Sequence, residues 1–536
     1  MQEFIRKFDD LAAVETGNRL ALWLERTAFL FMILMFVFAP HSIAGTQIAW
    51  LTGMFAWFVR QFLKPRPRLV RTPLDVPLWI FFAWSVVTSI FSYDPLVSLD
   101  KLRNVALFLI FYYIINVVKT KRAVVFMAFT LILSSMVSVV WTPIERIFGR
   151  GVEIQNVSPE SLFTKTALRD GDTIIKADNK KVGTPEEILA AIEANETTDL
   201  YFYRPDYYLT VKVSRADLRG GANALERLGI GGWKHSRNWR SAGFYGHYTT
   251  FAEVLQLIVS LAFGLFIANL GGDKNTGRKY LGGFAFSPVL LFCVAAMALA
   301  LLLTVTRASQ IGFLVSAGSI IFVSGNRRLL LISALILLPI ALGGVYFQQQ
   351  SRNVGYVDVN DDSTKDRLTF YRKGFDLWTQ NARNFSIGVG MDSTKRYIKE
   401  WNLYDNQGQP MGHFHSTPLQ LLVERGLPAL LLWLWVLWVY GRTLRRGFGI
   451  RDSGFNAEDS SGNSQPKDWR EQGIMLGAFG GAVGFFTGGI VHFNLGDAEV
   501  AMVFFMLMGL SVVLAARVVP SSLSTVHRSD EDSAEE

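Results

Sequence analysis

The sequence predicts an all-α polytopic membrane protein of about twelve transmembrane helices, with a small α+β insert outside the cytoplasm. Three observations carry that prediction. Of 536 residues, 50% are hydrophobic, and they gather in blocks such as "FLFMILMFVFA" and "VLLFCVAAMALALLLTV". Runs of ~20 apolar residues, at ~1.5 Å rise, match a ~30 Å hydrocarbon core. Lysine and arginine concentrate in alternate short loops, which marks those loops as cytoplasmic.

Taken in order, apolar runs at 27–39, 43–59, 74–92, 102–118 and 122–143 predict the first spans, within residues 1–147. Residues 148–220 form the hydrophilic insert. Spans at 246–269, 284–304, 310–323 and 329–347 follow within 221–347, and residues 348–416 make a second large loop. The last spans, 417–440, 473–491 and 500–516, lie within 417–518, and residues 519–536 read as a disordered acidic tail. Alternating from a cytoplasmic N-terminus puts "RQFLKPRPRLVR", "KTKR", "DKNTGRK", "GNRR" and "GRTLRRGFGIR" inside. Both large hydrophilic segments then lie outside and both termini inside. The first apolar block, beginning near Thr27, has no cleavage site after it and reads as a retained span.

The formal net charge of +8 comes from basic residues in short inter-span loops, so it is topological and not a nucleic-acid footprint. Cys293 is the only cysteine, which excludes an intrachain disulfide and a thiolate metal site. In "GIMLGAFGGAVGFFTGGIV", Gly473, Gly477 and Gly481 form one series at four-residue spacing, and Gly480, Gly484 and Gly488 another. Such series bring helix backbones close in lipid. A phosphate loop would need a lysine that is absent.

Within the insert, "GVEIQNV" alternates like a strand, and "LRDGDTIIKADNKKV" reads as strand, turn and strand. "TPEEILAAIEAN" reads as a helix with Thr184 and Glu187 in a capping box and Pro185 at its first position. "DLYFYRPDYYLTVKV" reads as a hairpin. From Gly151 to about Leu218 this order resembles the PDZ domains of bacterial envelope proteases, with Leu-x-x-Gly-Asp met by Leu168, Gly171 and Asp172. It departs at Thr166–Ala167, and no carboxylate-binding loop stands before Gly151. The resemblance implies capture of a peptide or protein partner by strand addition; a spacer role is the alternative.

Polar groups that abut apolar spans cluster in four places. They are "NWRSAGFYGHYTTFAEVL" with Arg240, His247 and Glu253; "TVTRASQIGFL" with Arg307; "STKDRLTFYRKGFDLW" with Arg367 and Arg372; and "GHFHSTPLQLLVERG" with His413 and His415. Arg307 falls at the outer boundary, where the positive-inside bias does not account for it, and an ionisable group there is costly. Guanidinium groups suit bidentate binding of phosphate oxygens.

This constellation resembles the O-antigen ligase and polymerase superfamily. Arg240, Gly243, Gly246 and His247 match its mid-chain pattern, and Thr304, Thr306, Arg307 and Ala308 match its Thr-x-Thr-Arg pattern. In the large loop, Arg367, Trp378 and the "GVG" at 388–390 correspond, followed by His415, Ser416, Leu419, Glu424 and Gly426. Ser416 stands where Asn is commoner. The resemblance implies a metal-independent glycosyltransferase with no cofactor, working at the periplasmic face of the inner membrane. Its donor would be an undecaprenyl-diphosphate-linked glycan and its acceptor lipid A–core, another glycan or a protein hydroxyl. It implies that His415, Arg307 and Arg240 are catalytic, and that Arg367, Arg372, His247 and His413 bind substrate. A histidine of near-neutral pKa suits the general-base role; orienting the diphosphate is the alternative. His-x-His as a metal site lacks a third ligand at the right spacing, and "DVNDD" lacks the glycine and glutamate of a calcium loop. A transporter is the competing class, and it would call for inverted repeats or charges at mid-membrane depth.

Overall fold

The computed structural model describes the chain apart from residues 1, 15–17, 205–206, 238, 272–279, 282–283, 326–342, 344–361, 407, 449–467 and 517–536. The ninth expected span (329–347), most of "DVNDD" and the acidic tail lie outside the described residues.

Helices dominate. The N-terminal part runs through α1 (Gln2–Ala12), α2 (Arg19–Phe38), α3 (Ile43–Arg60), α4 (Asp75–Ile90), α5 (Pro95–Asp100), α6 (Leu102–Val105), α7 (Leu109–Val117) and α8 (Lys121–Phe148). Among the described residues, seven helices are long and apolar enough to cross a membrane, and α4 is a shorter apolar helix. Two departures from the sequence reading matter for the site. The run expected as one span at 102–118 is broken into α6, a 3-10 turn and α7. The preceding loop folds into α5, capped by Asp94, whose side chain accepts from Val97 N, with Pro95 at the first turn.

The insert is a sheet in the order β5–β4–β2–β1–β6, with β3 beside β2. Its strands are β1 (Arg150–Val157), β2 (Thr173–Ala177), β3 (Lys180–Lys181), β4 (Thr197–Arg204), β5 (Tyr207–Ser214) and β6 (Ile230–Ser236). The sheet therefore runs past residue 220, because β6, reached through α10 (Ala224–Leu228), pairs antiparallel with β1. Helix α9 (Pro185–Ala194) starts as expected at Thr184, whose hydroxyl accepts from Glu187 N at 3.4 Å. The returning carboxylate bond goes one residue earlier than in a capping box, to Gly183 N at 2.6 Å. Val152, Ile154, Phe163, Ile174, Ile188, Leu200 and Phe202 fill this unit's own core.

The remaining helices are α11 (Tyr248–Gly271), α12 (Phe286–Leu303), α13 (Arg307–Ser324), α14 (Asp362–Thr379), α15 (Ala382–Ser386), α16 (Thr417–Gly447), α17 (Trp469–Gly489) and α18 (Ala498–Ala516). Helix α11 is central and buried along its apolar length. The two glycine series of α17 serve different partners. Gly473 and Gly477 pack on Leu265 and Leu261 of α11, Gly480 packs on Ile320 of α13, and Gly484 meets both Gln256 of α11 and Gly312 of α13. Association in lipid depends on such close van der Waals contact, since lipid tails are as apolar as leucine.

Candidate active site

The site is organised by a break in α16. Gly426 has φ 74° and ψ 177°, and Pro428 follows. Proline has no N–H for the carbonyl four residues back, which leaves that of Glu424 for another donor, and the non-helical Gly426 interrupts the ladder at the Val423 carbonyl. Val389 N takes the first at 2.8 Å and Gly390 N the second at 2.9 Å. A Cβ on Gly426 would collide with the Ser386 carbonyl, and one on Gly390 (φ 98°) with the Ser92 hydroxyl. The Gly-Val-Gly segment is thereby stitched to the broken helix. The loop after α4 joins the same assembly, with Tyr93 N on the Val389 carbonyl at 3.1 Å and the Ser98 hydroxyl on the Met391 carbonyl at 2.9 Å.

Beside this stitch lies a cavity of about 430 Å³ at the N-terminal end of α16. Histidines 247, 413, 415 and 492 line it, with Lys101, Lys395 and Arg425, and with Glu253, Asp392, Glu424, Asp497 and Glu499. Leu78, Phe81, Phe108, Trp433 and Phe505 give it an apolar side facing the spans. Asp392 holds Lys101 and Lys395, each at 2.9 Å. Burial alone would raise its carboxyl, but the two ammonium groups outweigh that and hold it below the usual carboxylate range.

His415 follows an extended loop and has a left-handed backbone, φ 49°, a conformation uncommon outside glycine. Its ring stacks on Phe370 at 5.2 Å between centroids and lies 4.1 Å from the His413 ring and 6.2 Å from that of His492. Neither of its ring nitrogens bonds to a described residue. His413 is committed differently, since its Nδ1 accepts from His415 N at 3.2 Å. His247 does the same for Thr249 N at 3.2 Å. In both neutral rings the proton is therefore on Nε2. The loop is further fixed through Gln420, which accepts from Phe414 N at 2.9 Å and donates to Glu424 at 2.8 Å.

The near-neutral pKa expected for His415 is not what the site provides. Burial first, then His413, Arg367 and His247, lower it to about 3. His413 falls to about 4, through burial and then Lys395. Burial and then Arg240 lower His247, and burial and then Arg367 take His492 well below the ordinary value. All four rings are neutral at pH 7.

The arginines named from the sequence divide. The Arg240 guanidinium sits over the Tyr248 ring at 4.4 Å, beside His247, and Arg240 is 9% exposed. Ser241 N bonds the Leu303 carbonyl at 3.0 Å, which ties this segment to the turn leading into Arg307, the first residue of α13. Arg367, on α14, acts electrostatically on His415 and His492. None of Arg240, Arg307, Arg367 and Arg372 is among the residues that line the cavity, and Arg372 stands apart from the other three. Five residues on from Arg367, it is turned by ~140° around the helix, and it lines a surface groove with Asp376, Gln380 and Trp401.

Sequence reading missed Lys101, Lys395, Arg425, His492, Asp497 and Glu499 as site residues. His492 was the most legible of them, a polar ring at the end of an apolar span before "FNLGDAE". It is held by Thr417, whose N–H bonds the His492 carbonyl at 3.0 Å. Among the described residues, no cluster of three or more His, Cys, Asp or Glu side chains is arranged to hold a metal ion.

A polytopic membrane protein with one polar, histidine-rich cavity at the end of its helices is the class that this fold and site define. Residues 292–434 match the family model described as O-Antigen ligase. That segment is similar to the O-antigen ligase family, and the match supports a ligase- or polymerase-type function in general. The matched segment contains Arg307, Arg367, His413, His415 and Glu424, and it ends inside α16. A search of curated proteins found no match.

Proposed function

We propose that the protein is a glycosyltransferase of the ligase type, moving a glycan from undecaprenyl diphosphate to a hydroxyl of lipid A–core at the periplasmic face of the inner membrane. The observation that carries this reading is the His415 ring, which lines the cavity with both nitrogens unused by the described protein. In the step, the acceptor oxygen forms a bond to the anomeric carbon. The bond from that carbon to the diphosphate oxygen breaks, with its electron pair leaving on the diphosphate. The acceptor proton passes to a ring nitrogen of His415. Arg240, Arg307 and Arg367 stabilise the charge that gathers on the leaving group. No metal enters this scheme.

A pKa of about 3 makes His415 a weak base in the empty cavity. A bound diphosphate changes that, because nearby negative charge favours the imidazolium. The base is then strengthened only when the donor is in place. His413 and His247 hold the loop and helix start in register and lend Nε2–H donors to substrate.

The insert supports a partner-binding role. Its order resembles a PDZ domain, and β6 adds a strand beside β1 at the sheet's edge, although none precedes Gly151. Such an edge suits strand addition by a peptide, and this favours a protein hydroxyl as the second acceptor reading.

The test is the glycan profile of a deletion strain complemented with wild type or His415→Ala. Full-length polymer accumulating on the carrier, rescued by wild type alone, is the expected result. Single repeat units accumulating instead would make the enzyme a polymerase. Unchanged lipopolysaccharide with lost protein glycosylation would make the acceptor a protein. Full rescue by His415→Ala would sink the mechanism.

A further inference from the structure

The wall of the cavity made by α11 and the turn into α18 carries three carboxyl groups, Glu253, Asp497 and Glu499, none of which the scheme above uses. Among the described residues, two of them have a buried oxygen without a hydrogen-bond partner. Glu253 is 6% exposed, and its Oε1 makes no hydrogen bond to a described residue. His492 Nδ1 stands 3.6 Å away, beyond hydrogen-bond reach. Burial keeps that imidazole neutral, so no ion pair compensates the carboxyl. Asp497 accepts from the Thr250 hydroxyl at 2.6 Å through Oδ2, which leaves its buried Oδ1 without a hydrogen bond. A buried acceptor left unmade is costly, and native structures rarely keep one without reason.

We infer that Glu253 and Asp497, supported by Glu499, form the acceptor subsite, and that it takes a sugar that is neutral or carries an amine. This rests on the transferase reading. Carboxyl oxygens are acceptors whether ionised or not, and each carboxyl supplies at most one proton. Sugar hydroxyls and ammonium groups bring the donors this wall lacks. A phosphate or uronate on the receiving sugar brings further acceptors and like charge, which such a wall excludes. Lys101 and Lys395, the lysines of the cavity lining, lie on other elements and are held by Asp392.

The experiment uses the full chain in phosphatidylcholine nanodiscs and needs no turnover. Equilibrium binding of labelled methyl glucoside, methyl glucosaminide and methyl glucuronide is measured for wild type and for Glu253→Gln with Asp497→Asn, both near-isosteric. The neutral and amino sugars should bind about tenfold more tightly than the uronate. The double variant should narrow that gap to about threefold or less. Equal binding of the three sugars to wild type, no saturable binding of any, or an unchanged gap in the variant would each overturn the subsite. Donor turnover by wild type is followed separately, by release of polyprenyl diphosphate. Normal turnover without discrimination overturns only the subsite; discrimination without turnover overturns the transferase reading.

Discussion

His415 is held by stacking on Phe370 and by the turn that His413 closes, while its own nitrogens stay open to the cavity. His415→Ala should therefore lower transfer by about 10²–10⁴-fold, with the protein still inserted and folded, as judged by detergent-resistant gel filtration. His413→Asn keeps an acceptor near the His415 N–H and should retain most of that activity, which a transfer assay on the same preparation checks. The histidines also set a pH dependence. Their folded values lie below the ordinary 6.5, to about 3 for His415 and about 4 for His413. The unfolded chain then binds more protons as pH falls below about 6.5, so their contribution to stability is present above that pH and is lost on acidification. Thermal stability in nanodiscs should fall between pH 7 and 5, and less steeply in His413→Asn; a flat profile for wild type would contradict the assigned burial. The spacing from Leu419 and Gly426 made His415 legible in the sequence. His492 and Asp497 were not, because spans distant in the chain bring them to His415. Residue type alone does not separate Arg372 from Arg367, which differ in helical phase.

The helix break explains why the large loop and the tenth expected span act as one piece. Pro428 frees the Glu424 carbonyl and Gly390 takes it, so the catalytic loop hangs on a bond that a regular helix would keep for itself. Pro428→Ala restores an N–H that competes for that carbonyl. It should cost about tenfold to a hundredfold in turnover through misplacement of the site, with expression and membrane insertion unchanged; unaltered turnover would show that the stitch is dispensable. Gly477→Leu tests the packing side. A side chain there meets Leu261 and the Ser260 carbonyl of α11, and overpacking of that kind costs about 1–3 kcal/mol. The thermal midpoint in detergent should drop, while Gly441→Ala, where nothing stands within 4 Å of the new carbon, should leave it in place. The glycine spacing announced close packing in the sequence, and only the fold revealed that two helices share it. The break at 102–118 could not be read from apolarity, because a kinked run and a straight one have the same composition.

Across the whole molecule, the two ends of the helices differ in charge. Arg60 with Glu25, Lys119 with Glu25 and Lys121 with Glu471 gather at the end opposite the cavity, where α16 also finishes in Arg445–Arg446. The positive-inside rule predicts that this end faces the cytoplasm. In a Cys293→Ser background, Asn402→Cys should react with a membrane-impermeant maleimide in intact spheroplasts and Arg442→Cys should react only after lysis; the reverse pattern would turn the molecule over. The apolar blocks made the membrane class readable, whereas the cavity needed helices from both halves of the chain. The measurement that reaches the central claim most directly is turnover by the purified protein, reconstituted in nanodiscs with a lipid-linked glycan and lipid A–core. The expected result is glycan on the core and one polyprenyl diphosphate released for each transfer, abolished in His415→Ala. Intact donor after prolonged incubation with active-fold wild type, or donor moved across the bilayer without cleavage, would contradict it.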